Sequence, residues 1–328
     1  MGSRSRKVSL FYKGIAGIWM KTLKRLFTKI RVLKHYLLVN FWTFDKSVLR
    51  LNTTAKPSTF IPELAGPSNQ SNRILVACHV YYPEFVEVIT KNAVGFPENV
   101  VFAFTTPDLR VAEDIKAKMS LAGRKFQVIH SKNIGRNFGP LLVELSTVVL
   151  DFDYILHMHS KRSDHNRNGL GESWSERNFE LFLKPSNFER AMQILQNDPE
   201  IGLVYADCSD LLRKINYRWG VNLKPIRDGK FRGLYKQALE CDKYIAFPAG
   251  GMFLAKTQAL KPLFDLTWSY DDFPRELGQL DGTMQHAIER LIGVIPETIG
   301  FKHAVFVSKL NRFTSEYRYF LSQELNAE

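Results

Sequence analysis

Two histidines one residue apart, followed at once by a hydroxyl and two cations, are the residues here whose types and spacing could most readily do chemistry. They are His157 and His159, then Ser160, Lys161 and Arg162. Residues 154–159 read as a strand, and alternate strand residues point to one face, so the two imidazoles share a side. They could donate to a phosphate or ligate a metal, although two histidines without a third ligand at suitable spacing make zinc a poor fit. Lys161 and Arg162 would meet a phosphate as plain positive charge. The blander reading is a satisfied core histidine beside a solvated basic loop. Chain order favours chemistry: the loop Asn133-Ile134-Gly135-Arg136-Asn137-Phe138-Gly139 comes before this segment, and the turn Leu280-Asp281-Gly282-Thr283 comes after it.

The elements that would position these residues alternate. Strands are expected at 73–79, 100–105, 126–130 and 154–159, and helices at 84–92, 111–121 and from about 139 to 149. Two helices follow between 175 and 196, then a strand at 201–206. Residues 244–253 read as strand-like around Pro248-Ala249-Gly250-Gly251, 281–291 as a helix opening at Asp281, and 294–299 as a late strand. Beyond Lys309 there is no clear pattern. Such alternation predicts an α/β fold, a Rossmann-like and mostly parallel sheet covered on both faces. Ligands of such sheets lie beyond the carboxyl ends of the strands.

Several blocks, in order, resemble the rhamnan synthesis F (RgpF) family across roughly residues 73–305. They are Asn-x-Gly-Arg-Asn-x-Gly-Pro at 133–140, His-x-His-Ser-Lys-Arg-Ser at 157–163 with Trp174 downstream, Phe247 to Phe253, and Phe273 to Arg290. The resemblance implies a GT-A-like glycosyltransferase of bacterial cell-surface polysaccharide, lipopolysaccharide or O-antigen assembly. It would be a rhamnosyltransferase with dTDP-rhamnose as donor, acting with inversion on a lipid-linked or cell-surface glycan. GT-A strands at this place usually end in an acidic cluster that holds a divalent metal. Here stands His159-Ser160-Lys161, and carboxylates suit Mg or Mn whereas Ser and Lys do not. A lysine can neutralise a leaving diphosphate directly, so no cofactor and no divalent metal are expected.

On that basis His157, His159, Ser160, Lys161, Arg162, Arg136 and Asn137 would hold the donor diphosphate and sugar. Asn137 stands where the family more often has Asp. Asp281 is the candidate general base that takes the proton of the acceptor hydroxyl, and an Asp before Gly-Thr is equally a good helix N-cap. Glu276 is the alternative base. His79, Tyr81 and Tyr82 could contact or stack on the nucleotide base, and Asp108 could accept from the base or ribose. Gly250 and Gly251 permit close approach of the acceptor. Trp174, His286 and Arg290 are further acceptor candidates, with Glu289 on the same helical face as the last two. Those three could equally form a structural ion network. Trp219 and Trp268 could platform a sugar or fill the core.

The net charge of +12 sits wholly in residues 1–56, which hold 13 Lys/Arg against Asp45 alone. The remainder carries 45 − 13 = 32 basic and 33 − 1 = 32 acidic side chains. That balance argues against nucleic acid, whose partners spread positive charge over a binding face. Within the arm, Ile15, Trp19, Leu23, Leu26, Ile30, Leu33 and Leu37 form an apolar stripe flanked by Lys21, Lys24, Arg25, Arg31 and Lys34. A helix lying in an anionic membrane surface is expected, each cation contributing about 1 kcal/mol. Docking on the protein's own core or on a partner is the alternative.

The expected organisation is a membrane-associating arm (1–56), a linker (57–72), a GT-A-like domain (73–310) and a tail (311–328), peripheral on the cytoplasmic face of the inner or plasma membrane, with other glycan-assembly enzymes as further partners. Three widely spaced cysteines, Cys78, Cys208 and Cys241, give no disulfide framework. A non-catalytic sugar-binding or membrane-surface module with a degenerate transferase fold is the competing reading.

Overall fold

The computed structural model describes residues 72–160, 170–208, 219–227 and 245–315. The basic arm, the linker but for Asn72, and most of the tail lie outside the described residues, as do Lys161 and Arg162.

Strand β1 (Ile74–His79) is followed by helix α1 (Glu84–Ala93), β2 (Val100–Thr106), α2 (Leu109–Leu121) and β3 (Phe126–His130). Two short helices, α3 (Phe138–Val143) and α4 (Ser146–Val149), lead to β4 (Tyr154–His159). Then come α5 (Leu170–Phe182), α6 (Pro185–Asn197), β5 (Ile201–Ala206) and the short α7 (Leu223–Arg227). Strand β6 (Phe253–Lys256), the short α8 (Lys261–Phe264), α9 (Met284–Thr298), β7 (Lys302–Val307) and β8 (Arg312–Thr314) complete the order.

These strands form one eight-stranded sheet in the order β3-β2-β1-β4-β6-β5-β7-β8. Strand β6 runs antiparallel to both neighbours and β8 antiparallel to β7, while the other pairings are parallel. All residues of β1, β2, β4 and β5 are buried, as near-continuous apolar runs require of a sheet covered on both faces. Alternation divides them between two cores. Leu75, Ala77, Ile155 and Tyr205 pack with Phe138, Leu141, Leu291 and Ile292 on the face of α3 and α9. Ile74, Val76, Leu156 and Val204 pack with Val86, Ile89, Ile115 and Phe188 on the other.

Three expectations are corrected on the carboxyl-terminal side. The helix does not open at Asp281: its first residue is Met284, with Thr283 at the N-cap. Nor is there a strand at 294–299, because α9 runs through Val294 and Ile295 to Thr298, burying Leu291, Ile292 and Ile295 against the sheet. The strand comes later, at β7, and a short β8 pairs with it. Around Gly250 the chain is a turn, and regular strand begins only at Phe253.

The topology fixes where a ligand would go. From β1 the chain adds β2 and then β3 on one side, and returns to place β4 on the other. Strand order therefore reverses between β1 and β4, which opens a crevice at their carboxyl ends. Register sets His79 opposite His159 at that point.

Candidate active site

Three buried histidines occupy the crevice. His79 Nδ1 lies 2.9 Å from the Thr105 hydroxyl. The Nδ1–H of His157 donates to the Gly251 carbonyl at 2.6 Å. His159 contacts the Gly250 carbonyl through Nε2 at 2.5 Å and the Ser160 carbonyl through Nδ1 at 3.1 Å. Burial lowers His79 from 6.5 to about 3, and the neighbouring His159 adds to the effect. His157 is lowered to about 3 by the same causes in the same order. Both are therefore neutral near pH 7. Ser160 does not point outward: its hydroxyl accepts from the amides of Tyr81 at 2.7 Å and Tyr82 at 2.9 Å, stapling the loop after β1 to the end of β4. The rings of Tyr81 and Tyr82 meet edge to face at 5.0 Å, with Tyr81 exposed.

Gly250 and Gly251 have φ of +91° and +79°, a conformation open to glycine at little cost. A Cβ on Gly251 would lie 2.8 Å from Asn137 Nδ2 and 2.9 Å from the Phe138 ring. This turn therefore presses on the loop before α3. The amide of Gly250 donates to the carboxylate of Glu289 on α9. One turn is thus gripped from β4 by two imidazoles and from α9 by a carboxylate.

Arg136 sits on the other rim with φ +53°, next to Gly135 at +77°. A non-glycine residue there costs roughly 1–2 kcal/mol, so the loop needs anchors. The Arg136 guanidinium supplies them, donating to Glu276 at 3.1 Å and to His286 Nε2 at 3.0 Å. Because arginine only donates, His286 Nε2 accepts, and its Nδ1–H donates to the Thr283 hydroxyl at 2.7 Å. Gln285 donates to the second oxygen of Glu276 at 2.8 Å.

Arg290, its side chain only 5% exposed, donates to the His286 carbonyl at 3.0 Å and stands 3.7 Å from Asp281. The face of Phe247 lies 5.1 Å below it. The Asp281 side chain is 41% exposed. Its turn is pinned by the Gly282 amide, which donates to Asn222 at 2.9 Å.

The crevice thus brings His79, Tyr81, Tyr82, His157, His159, Ser160, Gly250 and Gly251 together, with Asn137 joined through Gly251. Arg136, Glu276, His286, Arg290 and Asp281 form a second, linked group. Asp108 is spent elsewhere: its carboxylate accepts from the Arg110 amide at 2.8 Å and caps α2. Trp219 and Trp268 are buried, and Trp268 donates to the Leu263 carbonyl, so both fill the core. Trp174 falls on α5, but its side chain lies outside the described residues. Sequence reasoning did not find the roles of Asn222, Gln285 and Thr283, nor the partner of Glu289. The spacing of His286, Glu289 and Arg290 was the one available signal.

The sequence profile of rhamnan synthesis protein F matches residues 33–300. The chain belongs to that family. It is also similar to the uncharacterised protein WxcX of Xanthomonas campestris pv. campestris, at 26% identity over 248 residues, covering 74% of this chain and 34% of WxcX. The chain thus spans about a third of the length of the curated relatives it matches. Among solved structures it is similar to glucosyl-3-phosphoglycerate synthase from Mycobacterium tuberculosis with Mn2+, UDP and phosphoglyceric acid, at TM-score 0.31 and 10% identity over 63% of each chain. The same enzyme with Mn2+, UDP-glucose and phosphoglyceric acid matches at TM-score 0.30 and 11% identity, over 63% of this chain and 64% of that one. The described fold, a mostly parallel sheet with flanking helices, is of the expected class.

Against the expectation that no divalent metal takes part stand those synthase structures, which are complexes with Mn2+. The described residues do not by themselves fit such an ion: no group of three or more His, Cys, Asp or Glu gathers among them. Each of the three crevice histidines already turns at least one ring nitrogen to a carbonyl or a hydroxyl. No step below is routed through a metal. Among the described residues no helix is long and apolar enough to cross a membrane.

Proposed function

We propose that this member of the rhamnan synthesis F family is a glycosyltransferase that moves a sugar, rhamnose from dTDP-rhamnose as the leading candidate, from a nucleotide diphosphate to a glycan acceptor. The observation that carries this reading is the continuous path from Arg136 through His286 and Arg290 to Asp281, set beside a crevice at the strand-order reversal. A transferase needs positive charge for the leaving diphosphate and a carboxylate for the acceptor hydroxyl, held a fixed distance apart. Arg136, still 38% exposed, can meet an anion from its anchored position. Asp281 is exposed enough to meet an acceptor hydroxyl, and the buried Arg290 stands beside it at 3.7 Å. Glu276, engaged by Arg136 and Gln285, serves as the orienter of the arginine rather than as the base.

Tyr81 and Tyr82, at the mouth of β1, would offer a nucleotide base a surface to stack on. Lys161 and Arg162, next along the chain from Ser160, would add charge to the diphosphate. Inversion follows if Asp281 activates the acceptor on the face opposite the leaving group. The basic arm would confine the domain to the cytoplasmic face of the membrane carrying a lipid-linked acceptor, where other assembly enzymes work. The test is thermal-shift and turnover measurement on the full chain across dTDP-, UDP- and GDP-sugars, with Mn2+ or Mg2+ present and with EDTA. Stabilisation and release of one nucleoside diphosphate is expected. Silence toward every nucleotide sugar under all conditions would favour the sugar-binding module without catalysis.

A further inference from the structure

The three crevice histidines differ in what their ring nitrogens face. His159 has both nitrogens in hydrogen-bond geometry with backbone carbonyls, Nε2 with Gly250 at 2.5 Å and Nδ1 with Ser160 at 3.1 Å. A carbonyl oxygen carries no proton, so each contact needs an N–H on the ring. A histidine with N–H on both nitrogens is a cation. A neutral ring would have to set a lone pair against one of the two oxygens.

The surroundings point the same way. His79, from β1, and His157, on the same strand, are both held neutral, first by burial and second by the electrostatic effect of the neighbouring His159. One proton among three crowded rings thus settles on the ring with two acceptors. A counter-charge is at hand: the Gly250 amide donates to Glu289 on α9, while the Gly250 carbonyl accepts from His159. Residue 250 therefore stands between the His159 imidazole and a carboxylate, and its peptide groups are polarised by both.

We propose that His159 is an imidazolium at neutral pH, a fixed positive charge at the carboxyl end of β4 that pins the Gly250 carbonyl and draws the diphosphate of a nucleotide to this end of the sheet. The ligand half of this inference rests on the transferase reading; the charge half does not. Loss of the proton forces the ring to release one carbonyl, and the longer contact, to Ser160, is the one to go. The turn then stays held while the charge disappears, so ligand affinity falls without unfolding.

Two measurements on the full chain test this. Long-range 1H–15N spectra of 15N-histidine-labelled protein should show one imidazole with two protonated nitrogens at neutral pH, missing from the His159→Gln spectrum. Calorimetric titration with dTDP should be run from about pH 7 to about pH 9, above the phosphate's own titration near 6. Affinity should fall about 10-fold as the His159 proton is lost, and His159→Gln, which can still donate to Gly250, should bind weakly and without that pH dependence. A wild-type spectrum with one bare nitrogen on His159 at neutral pH overturns the charge. Affinity unchanged across its deprotonation overturns the role in binding. No dTDP binding at any pH, with both protons present, overturns the nucleotide reading while leaving the imidazolium. Should the Gln variant not fold, the wild-type spectrum and titration still decide.

Discussion

The β1–β4 wall of the crevice and the α9 wall hold their polar groups in opposite ways. On the first, His79, His157 and Ser160 are buried and bonded to backbone or to a neighbouring hydroxyl. On the second, Arg136, Glu276, Arg290 and Asp281 lean on one another through side-chain ion pairs. Backbone bonds to a packed sheet leave a side chain little room to move. Ion pairs between partly exposed groups exchange more readily, because each partner can be taken over by an incoming charge. The first wall is fixed and the second adjustable, and on the proposed reading the second is the one that would meet charged substrate and move protons.

Substitutions on the two walls should therefore fail differently. The largest effect expected is on the adjustable wall: Asp281→Asn should lower kcat by about 10²–10⁴-fold, as loss of a general base does, with an unchanged melting temperature. On the fixed wall, Gly251→Ala should act through stability, by about 2–4 kcal/mol in urea unfolding, because it combines φ +79° with a contact of 2.8 Å. Acid should also attack the fixed wall first. His79 and His157 are lowered to about 3 in the folded chain, so the unfolded chain binds their protons below its ordinary histidine value of about 6.5 and the folded chain does not. The stability they contribute is complete above that value and is lost as pH falls toward 3. Urea titrations across the window should show it, with a shallower slope in His79→Gln.

Glu276→Gln should raise the donor KM about 10-fold and spare kcat if Glu276 orients Arg136, a loss of about 1.4 kcal/mol. A fall in kcat equal to that of Asp281→Asn would instead make Glu276 the base. The smallest effect belongs outside both walls. Asp108→Ala should remove the α2 cap, lowering the melting temperature slightly and leaving nucleotide affinity unchanged.

The fixed wall was the legible one. Residues 74–79 and 154–159 are unbroken apolar runs ending in histidine, and the register that sets His79 opposite His159 follows from two such strands lying in parallel. Even so, the direction of Ser160 was hidden, since its partners are amides 78 and 79 residues away. The adjustable wall was harder because its bonds join distant segments. Arg136 meets His286 across 150 residues, and Glu289 meets Gly250 across 39. Local pattern also misled there. Val294, Ile295 and Pro296 read as the start of a strand, yet the apolar face of α9 continues through them into the core and overrides β propensity. Asp281 looked like a cap but lies in the turn before Thr283, which leaves its carboxylate exposed beside Arg290.

The central claim is that Asp281 performs the chemistry of a transferase whose donor is held elsewhere. Binding and turnover of the activating nucleotide sugar, compared between wild type and Asp281→Asn with Mn2+ present, test it most directly. The account predicts donor affinity within about 2-fold of wild type and turnover lost by at least about 10²-fold. Full turnover in the variant would contradict it.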